Sequence, residues 1–574
     1  VMAHYVPGAY EGIGRGYRGK LIVNVTVTEE RIEKIQIVKH KEVRGLAWDL
    51  PTSPIEVIPP QIIEYQSLNI PLVNGADLTS AAILDAVAAA LKAAGATDED
   101  IEQLRQAPGP EAPEPKDEVR TVDVAVFGAG AGGLAAAIEA KEGGADVILI
   151  EKQGITGGST ARSGGKLLGA GTKWQKEQGI YDTKEMCYDY LMEVGNRRGD
   201  FMDASKNRYL VEHLNETLDW LGTMGYQVQD VEAIHVSLQP WRVHNSMGGG
   251  GQTNGQGGEI TTPLTHHYVD KLGGEILYNT ALKELLTDEN GTVNGAVCEK
   301  LDGSKLTVYA KKGVILATGG YSRNKEMCAR YPVAHYFSTT PKSNVGEGLI
   351  AAEKIGARNF VHPGIQVVYT SLTCGIGIND ESGLIVNERG ERVVNEWSYQ
   401  YHVSDALAAS GSNCGWYITS GDEPYSGVQY GFKQAVEGTS RDKAADSIEE
   451  LAAMIKCDPA VLRATFDRYS ELVDKGVDED FGKPSRFLHP INGPKYAALR
   501  LHPCVTVTFG GLETDVAARV LDTEGRPIPG LYAAGEVADT GMFGTEYPTC
   551  GTSIGGALFY GRIAGRVASG QSML

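Results

Sequence analysis

The strongest hydrophobic pattern in the chain is a pair of short apolar runs separated by a helix-like segment. Val122–Phe127 and Asp146–Ile150 are short and mostly apolar, which predicts two buried strands. Leu134–Glu142 lies between them and is rich in alanine and leucine, which predicts an apolar helix. This order of strand, helix and strand indicates an α/β fold.

The first hundred residues show a different pattern. Leu21–Thr28 and Lys34–Val38 are rich in β-branched residues and predict strands of a small sheet. Asp77–Gly95 is rich in alanine and predicts one helix. Ala107–Asp117 contains four prolines among acidic residues, which is the composition of a linker. We therefore predict a small α+β domain at residues 1–107 and a linker at residues 108–119.

The length and net charge of the chain indicate several domains and argue against nucleic-acid-binding proteins. The chain has 574 residues, too many for one ordinary domain, and its formal net charge is −20. Because an acidic surface repels phosphate backbones, no nucleic-acid partner is expected. No apolar run approaches the roughly 20 residues that cross a bilayer, so no membrane span is expected. Val1 is not followed by a charged-then-apolar leader, and a cytoplasmic location is expected.

The cysteines give no sign of a metal site, whereas the glycines indicate a ligand-binding site. The eight cysteines include no C-x-x-C pair, so the sequence indicates neither an iron–sulfur site nor a zinc ribbon, and no metal is expected. The 72 glycines are clustered rather than evenly spread. Clustered glycine indicates backbone packed closely against a ligand, since glycine has no Cβ to block the approach.

One glycine cluster has the spacing of a dinucleotide-binding loop. Gly128, Gly130 and Gly133 follow the first predicted strand and open the predicted helix, and Glu151 follows the second strand. In such a loop the first glycine makes the tight turn, the second lets the backbone reach a pyrophosphate, and the third packs helix on strand. The helix N-terminus then faces the negative charge, and Glu151 can accept hydrogen bonds from ribose hydroxyls.

Three further motifs favour FAD over NAD. Gly157–Gly165 (GGSTARSGG) places small residues where an isoalloxazine ring would lie against the backbone. Ile315–Gly320 (ILATGG) and Gly530–Val537 (GLYAAGEV) each lead an apolar strand into a turn of small residues. On these motifs, the chain resembles the fumarate reductase / 3-ketosteroid dehydrogenase superfamily of FAD flavoproteins over residues 120–574.

The resemblance implies a Rossmann-type α/β FAD-binding domain made of residues 120–360 and 500–574, with an α+β capping domain inserted at residues 361–499. The active site is expected between the cap and the flavin. The same resemblance implies that FAD contacts the following residues or their backbone: Gly128, Gly130, Gly133, Glu151, Lys152, Gly158, Ser159, Thr160, Ser163, Gly164, Gly165, Thr318, Gly319, Gly535, Glu536, Ser553 and Ile554.

The N-terminal unit resembles the small α+β FMN-binding domain that precedes the FAD domain in fumarate- and urocanate-reductase-like proteins. The match rests on Gly12–Tyr17 (GIGRGY) and Val73–Ser80 (VNGADLTS). In the family pattern S-G-A-T-x-T-S the first threonine carries FMN through a phosphoester, and Asp77 stands at that position. A carboxylate cannot form that bond and repels a phosphate, so covalent FMN is not expected. Either the domain holds FMN non-covalently, or it keeps only the fold.

The substrate clamp of the family is replaced in this chain. Fumarate reductases hold a dicarboxylate with two histidines and an arginine, and a second arginine delivers the proton. The matching positions carry Val368, Val507, Ser553 and Gln400. A dianionic substrate would lose several charge-assisted hydrogen bonds of roughly 1.5–3 kcal/mol each. The pocket formed by Val368, Gln400 and Val507 is therefore expected to take an apolar, neutral substrate.

A second motif resembles that of ketosteroid dehydrogenases. In their Y-P-G-x-G segment a tyrosine hydroxyl and a glycine N–H bind the ketone oxygen. The segment Glu546–Thr552 (EYPTCGT) assigns these roles to Tyr547 and Gly551, and it departs from the motif at Thr549. Physically, this is an oxyanion hole with two donors.

The proton donor has two candidates. Tyr399 and Tyr401 flank Gln400, which is itself a poor acid. In an extended segment the two tyrosines would point to opposite faces, so at most one of them can serve, with Tyr401 favoured. The alternative is that both only pack in the core or the cap.

The predicted function is an FAD-dependent reductase of a carbon–carbon double bond conjugated to a ketone, with a 3-oxo-Δ4 steroid or a bile-acid-like enone as substrate. The resemblance implies hydride transfer from N5 of reduced FAD and an external electron donor. The alternatives are a 3-ketosteroid dehydrogenase working in the oxidative direction, an acrylate-, fumarate- or urocanate-type acid reductase, and a flavin-binding electron-transfer protein.

Overall fold

The computed structural model describes residues 4–232, 240–248, 256–330, 337–371, 376–377, 383–398, 400–412, 414–424, 426–438, 440–544 and 546–574. Within these ranges the chain forms a small N-terminal α+β unit, a larger unit built on parallel strands, and a further mixed sheet. None of the helices in these ranges is long and apolar enough to span a bilayer.

The N-terminal unit is a three-stranded antiparallel sheet covered by helices. Its elements are β1 (Gly8–Gly16), β2 (Gly19–Val27), β3 (Ile32–Lys39), α1 (Pro54–Tyr65), α2 (Asp77–Ala93) and α3 (Asp98–Gln106). A Cβ at Gly12 or Gly14 would clash with the α2 carbonyls of Ala86 and Ala82. The glycines of the GIGRGY motif therefore bring β1 close to α2. The predicted strands and helix lie within a few residues of β2, β3 and α2, whereas β1, α1 and α3 were not predicted.

The segment after the linker begins with the predicted strand, which is longer than expected. Its elements up to residue 316 are β4 (Glu118–Phe127), α4 (Ala131–Glu142), β5 (Val147–Ile150), α5 (Gly158–Arg162), β6 (Lys166–Leu168), α6 (Lys173–Glu177), α7 (Lys184–Gly195), α8 (Ala204–Gly222), β7 (Val228–Glu232), β8 (Val243–Ser246), α9 (Gly258–His266), β9 (Glu275–Leu277), β10 (Thr280–Thr287), β11 (Val293–Lys300) and β12 (Lys305–Leu316).

The remaining elements are α10 (Lys325–Cys328), β13 (Phe337–Ser338), α11 (Glu347–Lys354), β14 (Asn359–Ser371), β15 (Ile376–Gly377), β16 (Leu384–Asn387), α12 (Gln400–Ala409), β17 (Gly415–Ser420), α13 (Ser426–Glu437), β18 (Lys443–Ala445), α14 (Ile448–Met454), α15 (Pro459–Lys475), β19 (Tyr496–Leu512), β20 (Arg519–Leu521), β21 (Pro527–Ala533) and α16 (Thr552–Ala568).

The larger unit has the strand order of a dinucleotide-binding fold. Parallel strands run in the order β9–β5–β4–β12–β21, so β4 has β5 on one side and β12 on the other. This reversal of order opens a crevice at the carboxyl ends of the strands, where ligands bind in such sheets. The α/β, Rossmann-type prediction is confirmed.

The mixed sheet contains the strands of the segment predicted as the cap. Its strands run in the order β15–β14–β19–β17–β16, and β13 and β18 also pair with β19. The predicted domain boundaries at residues 361 and 499 fall inside β14 and β19, which are paired antiparallel. These two strands therefore connect the predicted FAD and capping domains.

The prediction of an extended segment around Tyr401 is wrong. Tyr401 lies in the first turn of α12, which begins at Gln400, and Tyr399 lies outside the described residues. The alanines and leucine that follow favour a helix and override the strand preference of the tyrosines. The argument that alternate residues face opposite sides of a strand does not apply here.

Two helices of the larger unit are in contact through their backbones. A Cβ at Gly561 of α16 would clash with the carbonyl oxygen of Gly132 in α4. One turn further along, a Cβ at Gly565 would clash with the carbonyl oxygen of Ala136. Glycine at both positions lets the helices approach more closely than side chains permit.

We expect Gly561→Ala to lower the free energy of unfolding by roughly 1–3 kcal/mol, because the added methyl group forces α4 and α16 apart. Gly222→Ala is the matched control: Gly222 also lies in a helix, and an added Cβ meets no atom within 4 Å. Urea unfolding of both variants measures the difference. Equal stability of the two variants would contradict the close packing.

Candidate active site

A cavity of about 820 Å³ lies at the carboxyl ends of the parallel strands. Phe127 at the end of β4, Ile150 at the end of β5 and Ala534 after β21 all line it. This is the crevice that the strand order predicts. Its volume is in the range of cofactor and substrate pockets, roughly 300–1,000 Å³.

Most of the residues expected to contact FAD line this cavity. They are Gly128, Gly130, Glu151, Lys152, Gly158, Ser159, Thr160, Ser163, Gly164, Gly165, Thr318, Gly319, Gly535, Glu536, Ser553 and Ile554. Gly133 is the exception, because it packs behind the loop, where a Cβ would clash with the carbonyl oxygen of Gly128. The packing role expected of Gly133 fits this position, and its contact with FAD stays a prediction.

The side chain of Glu151 is hydrogen-bonded to the glycine loop. One carboxylate oxygen accepts the Ala129 N–H at 2.7 Å, and the other accepts the Gln153 N–H at 3.0 Å. Burial raises the pKa of this carboxyl group above its usual value. Each carboxylate oxygen has a further lone pair that a ligand hydroxyl can approach from the cavity side. The side chain therefore fits both a structural role and the predicted ribose contact.

Glu536 is a second buried carboxyl group in the cavity wall. It accepts hydrogen bonds from the backbone N–H of Thr508 at 2.7 Å and from the Thr508 hydroxyl at 3.1 Å. Burial raises the pKa of Glu536 to about 7. Asp539 lies close behind it, and burial together with the charge of Glu536 raises the pKa of Asp539.

The described residues of the cavity fit FAD. Gly128 adopts φ +100° and a Cβ there would clash with the carbonyl oxygen of Ala317, so the loop keeps a bare backbone surface. The N-terminal turns of α4 and α16 both line the cavity and offer N–H groups to an anion. The hydroxyl of Thr318 is buried at the cavity without a hydrogen-bond partner among the described residues. Bare backbone, helix N-termini and an unpaired hydroxyl are what a dinucleotide requires.

Tyr547 and Gly551, the two residues expected to form the oxyanion hole, line the same cavity. The Tyr547 hydroxyl oxygen accepts the Ser553 N–H at 2.9 Å, so its own proton is available for donation. Burial raises the pKa of Tyr547 above its ordinary value, which keeps the hydroxyl neutral. Gly551 adopts φ +89° just before α16, and a Cβ there would lie 2.6 Å from the backbone of Leu167 and Leu168.

The ring of Tyr547 packs against two phenylalanine rings. It lies nearly parallel to the Phe509 ring, with 6.2 Å between centroids, and 5.3 Å from the Phe543 ring. The hydroxyl of Tyr190 donates to the carbonyl oxygen of Pro548 at 2.6 Å and fixes the next residue. The orientation of Tyr547 is therefore set by packing and by two hydrogen bonds to this loop.

The remaining predicted pocket residues are only partly described. Val507 lines the cavity. Val368 is placed by its backbone in β14, opposite Cys504 of β19, and Cys504 also lines the cavity. Gln400 and Tyr401 begin α12, and their side chains lie outside what the structure describes.

Several cavity residues were not predicted from the sequence. They are Tyr17, Arg18, Leu78, Arg162, Lys166, Arg323, Asn344, Glu347, Cys504, Thr506 and Cys550. Cys550 lies inside the segment Glu546–Thr552 and could have been found there; burial raises the pKa of its thiol to about 11. Tyr17, Arg18 and Leu78 come from the N-terminal unit, and no local pattern indicates that this unit reaches the cavity.

The parallel sheet, the glycine loop and the buried carboxylates together indicate an FAD-binding protein. Residues 123–554 match the family described as FAD binding domain, which is more than half of the chain, and residues 16–92 match the FMN-binding domain. The chain belongs to this FAD-binding family, that of fumarate and urocanate reductases and 3-ketosteroid dehydrogenases, and it carries an FMN-binding-type domain in front.

Individual relatives differ in the substrate they are named for. The chain is 30% identical to the NADH:acrylate oxidoreductase of Vibrio harveyi over 98% of its own length, but it spans only 61% of that relative. It is 29% identical to the urocanate reductase of Eggerthella lenta, covering 98% of this chain and 92% of the relative. Among solved structures, the 3-ketosteroid-Δ4-(5α)-dehydrogenase of Rhodococcus jostii RHA1 is 28% identical with a TM-score of 0.64, covering 79% of this chain and 97% of that one.

The raised pKa of Glu536 predicts a pH dependence of stability. The folded protein binds the proton of the Glu536 carboxyl more tightly than the unfolded chain does, where the pKa is 4.5. The contribution of this proton to the free energy of unfolding is therefore present at low pH and is lost as pH rises through about 7. We expect up to about 3 kcal/mol to be lost between pH 5 and 8. Urea unfolding of the FAD-free protein, compared with Glu536→Gln at each pH, measures the difference. A constant difference between the two proteins would contradict the shift.

Proposed function

We propose that the protein is an FAD-dependent reductase of a carbon–carbon double bond conjugated to a ketone, with a 3-oxo-Δ4 steroid or a similar enone as substrate. The observation that carries the proposal is the Tyr547 hydroxyl, which lines the cavity and accepts the Ser553 N–H while keeping its proton for donation. A neutral hydroxyl donor suits a neutral carbonyl oxygen on which negative charge develops.

The substrate wall supports a neutral ligand. Val507 contributes an apolar side chain at the position that matches a clamp histidine in fumarate reductases. Its neighbours in the wall, Cys504 and Thr506, are uncharged. A carboxylate placed there would lose its hydration without gaining a charged partner from these three side chains.

The chain's own residues have defined tasks in this proposal. FAD, once bound and reduced by an external electron donor, would supply the hydride for reduction of the double bond. Tyr547 donates a hydrogen bond to the carbonyl oxygen and stabilises the enolate, and the N–H of Gly551 is the second donor. Phe509 and Phe543 hold the tyrosine ring, and the buried surroundings exclude water and strengthen both hydrogen bonds. The proton that completes the reduction comes from one of two tyrosines, Tyr401 in the first turn of α12 or Tyr399.

An acid reductase is the second candidate, because the relatives named for acrylate and urocanate align over 98% of this chain. The two candidates differ in the group that activates the double bond, a ketone or a carboxylate. The same cavity could also work in the oxidative direction on a saturated ketosteroid.

The test is a panel of electron acceptors added anaerobically to the reduced, FAD-loaded protein. The panel holds 3-oxo-Δ4 steroids, acrylate, fumarate and urocanate, and reoxidation is followed by flavin absorbance. We expect rapid reoxidation by the steroid enones and none by the acids. Reoxidation by an acid alone would reject the ketone proposal and with it the role of Tyr547.

We expect Tyr547→Phe to lower kcat with the enone by about 10²–10³-fold, since one oxyanion donor is lost. Tyr226→Phe is the control: Tyr226 is also a buried tyrosine, and its hydroxyl has no hydrogen-bond partner among the described residues. FAD content of both variants is measured alongside the rate. Full activity of Tyr547→Phe with normal FAD content would contradict the assignment.

A further inference from the structure

A group of charged side chains surrounds Glu546, the residue before Tyr547. The side chain of Glu546 is only 4% exposed, and two arginines and a histidine approach its carboxylate. Arg197 Nη1 lies 3.2 Å from Oε2, Arg198 Nε lies 3.3 Å from Oε1, and His402 Nε2 lies 3.6 Å from Oε1. Because loss of a partner leaves a buried charge uncompensated, these contacts are costly to break.

The partners of Glu546 come from two parts of the chain. Arg197 and Arg198 follow helix α7, whereas His402 lies in α12, within the segment predicted as the cap. A second ion pair joins the same two parts, from Arg198 Nη2 to Asp405 Oδ2 at 3.2 Å. His402 and Asp405 are three residues apart and so share one face of α12. That face of α12 therefore contacts Glu546 and the segment after α7 together.

The loop on both sides of Glu546 is also fixed to α7. Before it, a Cβ at Gly544 would lie 1.7 Å from the carbonyl oxygen of Gly195, the last residue of α7. After it, the carbonyl oxygen of Pro548 accepts the hydroxyl of Tyr190 of α7 at 2.6 Å. Helix α7 therefore supports the loop directly, and the arginines that follow α7 connect the loop to α12.

The charges around Glu546 keep its carboxylate ionised. Burial alone would raise the pKa of Glu546, but the approach of His402 and the charges of Arg197 and Arg198 lower it below its ordinary value. Both side chains of the Arg198–Asp405 pair are more than half exposed, and such exposed pairs contribute little. The link between α12 and the loop therefore depends mainly on Glu546.

We propose that Glu546 is a positioning residue that holds the first turn of α12 against the loop of Tyr547. Tyr401, one of the two candidate proton donors, directly precedes His402 in that turn. Glu546 is not among the residues that line the cavity, so it acts through its neighbours. It sets the separation between the tyrosine that stabilises the enolate and the turn that carries a proton donor. The roles of the tyrosines rest on the proposed function, whereas the link between α12 and the loop does not.

The first experiment measures the link without any substrate. Hydrogen–deuterium exchange of the α12 amides is followed by mass spectrometry in the FAD-loaded full chain. We expect Glu546→Gln to speed this exchange by roughly 10-fold, because α12 loses a contact and opens more often. Glu139→Gln is the matched control: Glu139 is also 4% exposed and paired with two arginines, but Arg562 and Arg566 both lie in α16. Unchanged exchange in Glu546→Gln, or equal acceleration in the control, would overturn the proposal.

The second experiment measures kcat and KM with the acceptor that reoxidises the flavin fastest, alongside FAD content. We expect Glu546→Gln to lower kcat by about 10-fold with little change in KM, because displacing a catalytic group by about 1 Å can cost about 10²-fold. His402→Leu removes the same contact and has the same expected effect, so it tests the proposal even where Glu546→Gln fails to fold. His402→Gln keeps an N–H donor and is expected to retain most of the kcat.

The double variant Glu546→Gln/His402→Leu is expected to be no slower than either single variant, since both changes remove one contact. Unchanged kcat in either single variant, additive losses in the double variant, or equal losses in His402→Leu and His402→Gln would overturn the positioning role.

The two experiments separate this proposal from the proposed function. If acids alone reoxidise the flavin, the ketone proposal is rejected, and faster exchange of α12 in Glu546→Gln still supports the link. If steroid enones reoxidise the flavin but the variants change neither the exchange of α12 nor kcat, the proposed function stands and the positioning role of Glu546 is rejected.

Discussion

The close approach of α4 and α16 is the constraint on which the rest of the site depends. Both helices begin at the cavity, α4 behind the glycine loop and α16 behind Gly551, and they meet through Gly132 and Gly561 without intervening side chains. Packed interiors transmit such a constraint because they leave almost no room for adjustment. The two helix N-termini are therefore held at a fixed separation, as a ligand bound at both its pyrophosphate and its ring system requires.

Two buried carboxylates, Glu151 and Glu536, add hydrogen-bond acceptors to the wall of the cavity at which α4 and α16 begin. Burying a carboxylate is costly unless hydrogen bonds compensate it, and Glu151 and Glu536 each receive two of them from the protein. Glu151 fixes the glycine loop, and Glu536 connects the turn after β21 to Thr508 of β19. Ligand hydroxyls that donate to the remaining lone pairs offset more of the desolvation, so the same groups stabilise the wall and favour a polyhydroxylated cofactor.

The sequence predicted those parts of the site that are encoded locally. The glycine loop, Glu151 and Tyr547 lie in short motifs whose chemistry depends on spacing, and the structure brings them to one cavity. Gly133 shares the spacing of the loop but lies behind it, against the carbonyl oxygen of Gly128, and spacing alone does not distinguish packing from ligand contact. Tyr17, Arg18 and Leu78 could not be predicted, since they reach the cavity only through docking of one unit on another. The start of α12 was misjudged because helix-forming residues after Gln400 outweigh the local tyrosines.

The overall similarity of the chain points to an acid as substrate, whereas its tyrosine motif points to a ketone. The relatives named for acids align over nearly the whole chain, whereas the tyrosine motif resembles that of ketosteroid enzymes. The match to the FAD-binding family spans the glycine loop and both buried carboxylates, Glu151 and Glu536. In the proposed function, Val507 and Tyr547, which line the same cavity, select the substrate. The glycine contacts between α4 and α16 involve neither of these side chains, so the proposed difference in substrate does not require those contacts to change.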